Sequence, residues 1–546
     1  MAEELAFARK ASGLVRGLSM WDAFAVGFMN QGLTPSIWVT ISLGVGVFLG
    51  GNLIIACLIS TVLTGIGFPL VWGILGGSMP RSGGEYIYNS RIIHPIFGIA
   101  QSFGDAAIWL LWIFVLAPLA VSPGMEITLN YIGWSSGAAW LTSANWHAFI
   151  VASVFNVIGF CFVVFGIKIF ALTQKIVMFF GIGGCVVIGI VLTVSSRANF
   201  VGKWDAAAGT SSPHYNDFIA QVGQAAHAAG NLSGTVIPTT WSWGATLGTM
   251  VAMSWLFAYA YSISFIAGEV KRPDKTIILS NLFAILVPFV FMMWIAIVLY
   301  KTVGFQFLSA SAWNDYNGPI DSFKMPYGSN FVDLAVYTIG TKTLLTKLLA
   351  GYMGLSYVAF TMWWLALSYL AFPRIMFAWG MDRMGPKWFT DINPRFASPV
   401  KNHLLCLILG EILIVFYYSI LNSYSSNITL TGMQVTSVFI PTALAALLFP
   451  YMKRCKGVWD SSPYKTWRFL GLPVVVWGAI VDLVYLFILL YYFIAKNAAT
   501  ATFTWPSVGL FIGVWVLGVI WYFFWKARSK SVGVDVSMTY GELPPE

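Results

Sequence analysis

Residues 257–275 read FAYAYSISFIAGEVKRPDK. The stretch opens as an apolar helix, thins to small side chains at Ala258, Ala260, Ser262 and Ser264, and closes with Glu269 ahead of Lys271, Arg272 and Lys275. Small residues in a membrane helix let a second backbone or a ligand approach closely, and serine hydroxyls can satisfy carbonyls freed by a break. They serve tight helix packing equally well, so an interrupted and a continuous span both fit these residues taken alone.

The flanking sequence says what kind of chain holds this stretch. Of the 546 residues, 58% are hydrophobic and 9% are charged, against roughly a quarter charged in a soluble domain. Apolar runs recur along the whole chain, each long enough to cross a hydrocarbon core of roughly 30 Å. The chain reads as an all-α polytopic membrane protein of about twelve spans, the first at 20–45, the sixth at 247–267 and the last at 506–526. The first apolar run begins near Met20, exceeds signal-peptide length and lacks a cleavage pattern, so it is read as a retained span.

Charge placement sets the orientation. With the N-terminus in the cytoplasm, 23 of the 30 Lys and Arg fall in cytoplasmic loops or at span ends. Because positive residues resist translocation, this predicts a multi-pass cell-membrane protein with both termini cytoplasmic. The net charge of +9 then reflects attraction to anionic membrane lipids, and no nucleic-acid partner is expected. The expected division is a tail at 1–19, a first repeat at 20–196, an extracellular loop at 197–246, a second repeat at 247–453, two further spans within 454–526 and a tail at 527–546. A second long external loop, 302–342, is either an ordered lid or a solvated connector.

Motifs argue against catalysis. No HExxH, Walker loop or GxSxG occurs, the five histidines are dispersed, and Cys57, Cys161, Cys185, Cys406 and Cys455 stand singly without metal-ligand spacing. Neither an enzyme nor a cofactor or metal protein is expected. A channel would show a repeated filter or a ring of charge, and neither is found. A sensor would carry an output domain, whereas the tails have only about twenty residues each; a transport-derived sensor or a channel is the alternative class.

The first span holds a second irregularity, Gly27 followed by Asn30-Gln31-Gly32-Leu33-Thr34-Pro35. Proline removes a backbone donor and glycine eases departure from helical geometry, so the span is either kinked or unwound here. Interruptions at corresponding positions of two halves point to a transporter site built from half-helix ends. Such ends offer amides to a carboxylate and carbonyls to an ammonium or a cation, a geometry that suits a zwitterion.

Three further runs follow the second, sixth and eighth spans. They are Met79-Pro80-Arg81-Ser82-Gly83-Gly84-Glu85-Tyr86-Ile87-Tyr88, Gly268-Glu269-Val270-Lys271-Arg272-Pro273-Asp274-Lys275, and Pro373-Arg374-Ile375-Met376-Phe377-Ala378 continuing to Asp382-Arg383-Met384-Gly385-Pro386-Lys387 and Pro399-Val400. In order and placement the chain resembles the amino acid/polyamine/organocation permeases over roughly residues 12–455. The resemblance implies a five-plus-five inverted-repeat core with two peripheral helices, and a site between the first, third, sixth, eighth and tenth spans. It implies a secondary active transporter of amino acids or related amines working by alternating access. A proton is the favoured coupling ion over sodium; the alternatives are an amino acid or amine exchanger and a polyamine or nucleobase permease.

Carried onto this chain, the substrate would meet Asn30, Gln31, Gly32, Leu33 and Thr34 and, across from them, Phe257, Ala258, Tyr259, Ala260, Tyr261 and Ser262. Gly83, Gly84, Glu269 and Lys271 would form the cytoplasmic gate. The chain departs from the family pattern in lacking G-S-G in the first span and any glycine between Phe257 and Ile266. Where some proton-coupled members carry a lysine in the fifth span, this chain has Gly181, with Lys175 about six residues earlier.

Asp105, Glu411 and Asp482 lie within apolar spans, where a charge is costly and a functional candidate by default. Asp105 is the preferred coupling residue because the third span lines the implied site, whereas Glu411 and Asp482 fall on peripheral spans and suit structural roles. A sodium site would draw hydroxyls from the eighth span, where Ser356, Thr361 and Ser368 are the candidates, although such hydroxyls also bond their own helix routinely. The sequence leaves the substrate, the coupling ion and the oligomeric state open.

Overall fold

The computed structural model describes residues 16–421, 426–500, 502–540 and 543. Helices dominate it, because a helix satisfies its own backbone groups where hydrocarbon offers no partner. Among the described residues, eleven helices are long and apolar enough to cross a membrane, one fewer than the twelve spans expected. The difference is the first span, divided into Met20–Met29 and Leu33–Val39 and continuing through a π-helical turn at Thr40–Val45. Neither helical piece reaches crossing length alone.

Local signals start the helices. Ser19 and Asp22 exchange side-chain and backbone hydrogen bonds ahead of the first helix. Asn52 caps the second span at Leu53–Ser78, Ser242 the sixth at Trp243–Phe257 and Thr343 the eighth at Leu344–Met381. After Phe257 the sixth span leaves α geometry and runs as a 3₁₀ coil over Ala258–Glu269.

Burial orders the spans from centre to rim. Every residue in the most apolar window of the sixth span is buried and 89% in the eighth, against 28% in the ninth, Val400–Ser419, and 22% in the twelfth, Trp505–Ser531. The sixth and eighth spans therefore hold the centre, and the ninth and twelfth stand at the rim. The second span and the seventh, Pro273–Thr302, press together where Gly73 meets Ile278; a Cβ on Gly73 would stand 2.4 Å from Ile278 Cγ1.

Both long loops are built structures. The first contains helices Arg197–Ala208 and Tyr215–Ala228, the second Phe305–Asn317 and Phe331–Ile339. Trp204, Phe218 and Phe307 pack ring against ring across the two. The second loop closes over the nearby ends of the first and third spans: Trp38 Nε1 (2.6 Å) and Ser42 Oγ donate to Asp315, and Tyr131 OH donates to Asp333 at 2.6 Å. Opposite this loop face lies the terminus face, where Leu18 pairs with Val270 and Tyr540 lies against Tyr86.

Candidate functional site

The break in the first span forms at Gly32, whose backbone is left-handed (φ 54°, ψ 74°). Glycine adopts that conformation freely, and a Cβ here would stand 2.8 Å from Trp364 Cε3. Asn30 Nδ2 donates to the Tyr259 carbonyl at 2.7 Å and Gln31 Nε2 to the Phe257 carbonyl at 3.3 Å. Side-chain amides of one break thus satisfy carbonyls of the other, and Ser262 Oγ returns a bond to the Val26 carbonyl at 3.4 Å. Both spans are interrupted rather than kinked. The small residues of the sixth span admit the first span's backbone, since a Cβ on Gly27 would lie 3.2 Å from the Ala260 carbonyl oxygen.

All eleven residues expected to meet substrate, 30–34 and 257–262, are buried in this central region. Asn30 Oδ1, Gln31 Oε1 and Tyr259 OH have no hydrogen-bond partner there. Aromatic rings enclose them: Trp112 lies 5.6 Å from Tyr259 and 5.1 Å from Trp364, and Tyr259 lies 5.5 Å from Trp364. From the tenth span, Leu430–Leu448, Gln434 Nε2 donates to Tyr261 OH at 2.5 Å. Trp112 and Gln434 escaped sequence reasoning, because one tryptophan among 25 carries no mark of its neighbours.

Towards the terminus face, Gly83 and Gly84 sit against the eighth and sixth spans. A Cβ on Gly84 (φ 57°) would lie 2.7 Å from Phe265 Cε1, and one on Gly83 2.4 Å from Ala378 Cβ. Glu269 pairs with Arg374, whose Nε and Nη2 are each 2.8 Å from Glu269 Oε1, tying the sixth span to the eighth. Lys271 joins through its backbone N–H, which donates to the Leu18 carbonyl at 2.9 Å. Arg374 belongs to the Pro373–Ala378 run read in the sequence, and its pairing with Glu269 was not foreseen there.

The coupling candidates separate into two places. Ser356 Oγ lies 2.7 Å from Thr34 Oγ1 and donates to the Gly181 carbonyl at 2.6 Å, while Thr361 donates to the Tyr357 carbonyl of its own helix at 2.8 Å. Lys175 pairs with Asp22 at 2.9 Å, at the start of the first helix. Asp105 is fully buried and neither of its oxygens has a hydrogen-bond partner. It faces Glu85 and Trp109. Glu85 begins the short helix Glu85–Ile92 outside the membrane spans, and its Oε1 accepts from Trp72 Nε1 at 2.6 Å and Ser264 Oγ at 2.9 Å. Burial pushes the Glu85 carboxyl above the usual carboxylate range, against the pull of those two donors. Glu411, by contrast, accepts from Ser153 at 2.8 Å and Asn156 at 2.9 Å, a satisfied structural acid.

Two interrupted helices that exchange hydrogen bonds at the centre of a multi-span bundle, with packed elements at both ends, define a carrier of small molecules across a membrane. The chain belongs to the amino acid permease family, whose family model matches residues 26–532, so amino acid transport across a membrane is its activity class. No curated protein matches it.

Proposed function

We propose that the protein is a proton-coupled secondary active transporter of amino acids or related amines, working by alternating access in the cell membrane with its terminus face in the cytoplasm. The observation that carries this reading is the mutual bonding of the two breaks, which leaves Asn30 Oδ1, Gln31 Oε1 and Tyr259 OH unpartnered inside an aromatic enclosure. The helix restarting at Leu33 turns its amide end to this point and the helix ending at Phe257 its carbonyl end, complementary to a carboxylate and an ammonium. On this reading residues 20–196 and 247–453 are inverted repeats, each contributing its first span to the site.

Protons are favoured over sodium because two buried carboxyl groups, Asp105 and Glu85, stand against each other beside the sixth span, where an acid can carry a proton. The hydroxyls of Thr34, Ser356 and Thr361 are hydrogen-bonded within the bundle but keep oxygen lone pairs, so they do not choose the ion. The rings of Trp112, Tyr259 and Trp364 also suit a bare amine, which keeps polyamines as the second substrate class.

A thermal-shift screen of purified protein against amino acids, polyamines and nucleobases tests the substrate class, since a ligand of the folded state raises its apparent stability. Proteoliposome uptake under imposed proton or sodium gradients then tests the ion. Stabilisation by amino acids with uptake driven by a pH gradient is the expected result. Uptake that follows sodium alone would overturn the coupling assignment, and stabilisation by polyamines alone would move the substrate.

A further inference from the structure

We infer that Glu85 and Asp105 together form the proton-binding site of the transport cycle, and that Glu85 links its occupancy to the terminus-face half of the sixth span. The inference rests on the proton-coupled reading above and adds to it a residue and a linkage.

Glu85 ties its own helix to two other elements through one carboxyl group. It belongs to the helix Glu85–Ile92, it accepts from Trp72 of the second span, and it accepts from Ser264 within the 3₁₀ segment of the sixth. Its second oxygen, Oε2, has no partner, and both oxygens of Asp105 are likewise unpartnered and fully buried. The donor beside them is Trp109 Nε1, which is buried and turned to Asp105. A buried polar group without a partner is costly, and a charged one far more so. Three carboxyl oxygens brought together with Trp109 beside them mark a place that exchanges a ligand small enough to need no cavity, and a proton meets that requirement.

The surrounding groups make the pair suited to holding a single proton. The titratable neighbours are Tyr261 from the sixth span and Tyr88 from Glu85's own helix, with Tyr464 beyond Tyr88. The second span contributes the neutral Trp72, and the tenth contributes Phe439 beside Trp72. Arg374 of the eighth span is held by Glu269. Two facing carboxyl groups resist ionising together, so one proton stays between them while they remain in contact.

When that proton leaves, two carboxylates face one another and repel, and separating them moves Glu85 relative to Ser264 or Asp105 relative to Glu85. Displacement of Glu85 from Ser264 loosens the 3₁₀ segment that carries Glu269 and its ion pair with Arg374. Proton binding restores the contact. The proton is taken from one side of the membrane and released on the other, so no further reactant is needed.

The test compares wild type, Glu85→Gln and Asp105→Asn in proteoliposomes by two assays on each protein. One is substrate exchange at equal pH on both sides. The other is accumulation driven by a pH gradient, read together with substrate-induced proton influx by an internal pH dye; a gradient of about one unit supports roughly tenfold accumulation per proton coupled. For both variants the expected result is exchange retained, accumulation lost and no substrate-induced proton influx. Variants that accumulate substrate and move protons like wild type overturn the inference while leaving proton-coupled transport intact. Variants that remain folded but lose exchange as well overturn it in favour of a purely structural role. Wild-type protein that exchanges substrate without responding to a pH gradient overturns the coupling reading and this inference together.

Discussion

At Gly32 a single hydrogen atom in place of a side chain decides whether the first span can break. Its left-handed backbone and its 2.8 Å clearance to Trp364 make any side chain doubly unfavourable. Gly32→Ala is expected to cost about 1–3 kcal/mol of stability and, because Trp364 belongs to the ring enclosure, to abolish uptake in protein that still inserts. Normal uptake by this variant would remove Gly32 from the site. Asn30 is the complementary case, since its amide satisfies a carbonyl of the other span. Asn30→Ala leaves that buried carbonyl unpartnered and is expected to lower stability by about 1–3 kcal/mol, read by thermal unfolding in detergent. Asn30→Asp should be no milder, because a carboxylate cannot donate to the carbonyl.

Between elements, the contacts that hold the two ends of the bundle differ in kind. On the terminus face the sixth and eighth spans meet through the buried Glu269–Arg374 pair. Arg374→Met alone strands an acid and is expected to cost about 3–5 kcal/mol, whereas Arg374→Met with Glu269→Leu should recover much of that loss. Thermal unfolding of the two variants checks this; equal destabilisation would mean that the pair does not act as a unit. On the loop face the helices Phe305–Asn317 and Phe331–Ile339 are fastened through Asp315 and Asp333. Burial raises these carboxyls from 3.8 to about 6 and about 7 respectively, partly offset by their hydrogen bonds. The folded state therefore binds protons more tightly than the unfolded chain. This contribution is fully present below the unfolded value near 3.8 and is lost as pH rises through about 6 and about 7. Stability measured from pH 5 to pH 8 should fall, and Asp333→Asn, which preserves an acceptor for Tyr131, should flatten the upper part of that fall. An unchanged slope in the variant would remove Asp333 from the account.

Across the whole molecule, the chain near Tyr540 returns to the terminus face. The Tyr540 hydroxyl lies 3.0 Å from that of Tyr86, and the Tyr540 ring lies 5.0 Å from the Arg91 guanidinium carbon. Arg91 itself forms two 2.6 Å hydrogen bonds to Asp382, joining the helix after the second span to the end of the eighth. Ending the chain at Val534 uncovers this cluster and is expected to lower stability by about 1–2 kcal/mol through the lost cation–π and hydrogen-bond contacts. Unfolding curves of the truncated protein give the answer, and an unchanged midpoint would show that the tail contributes nothing to holding this face.

How much was legible in the sequence follows from what is local. Apolar length and few charges determined a multi-span helical bundle, because each span must satisfy its own backbone in hydrocarbon whatever surrounds it. Gly32 and the small residues from Ala258 to Ser264 marked where two spans could fail to be helices, since backbone freedom and side-chain bulk belong to the residue itself. Only the tertiary structure decided that both breaks are real, because each is held by amides or carbonyls from a segment more than two hundred residues away. It also decided that Glu85, an unremarkable position within a loop motif, stands against Asp105 and Ser264. Partnership, burial and the resulting cost of charge are properties of the assembled neighbours, and the order of residues along the chain does not contain them.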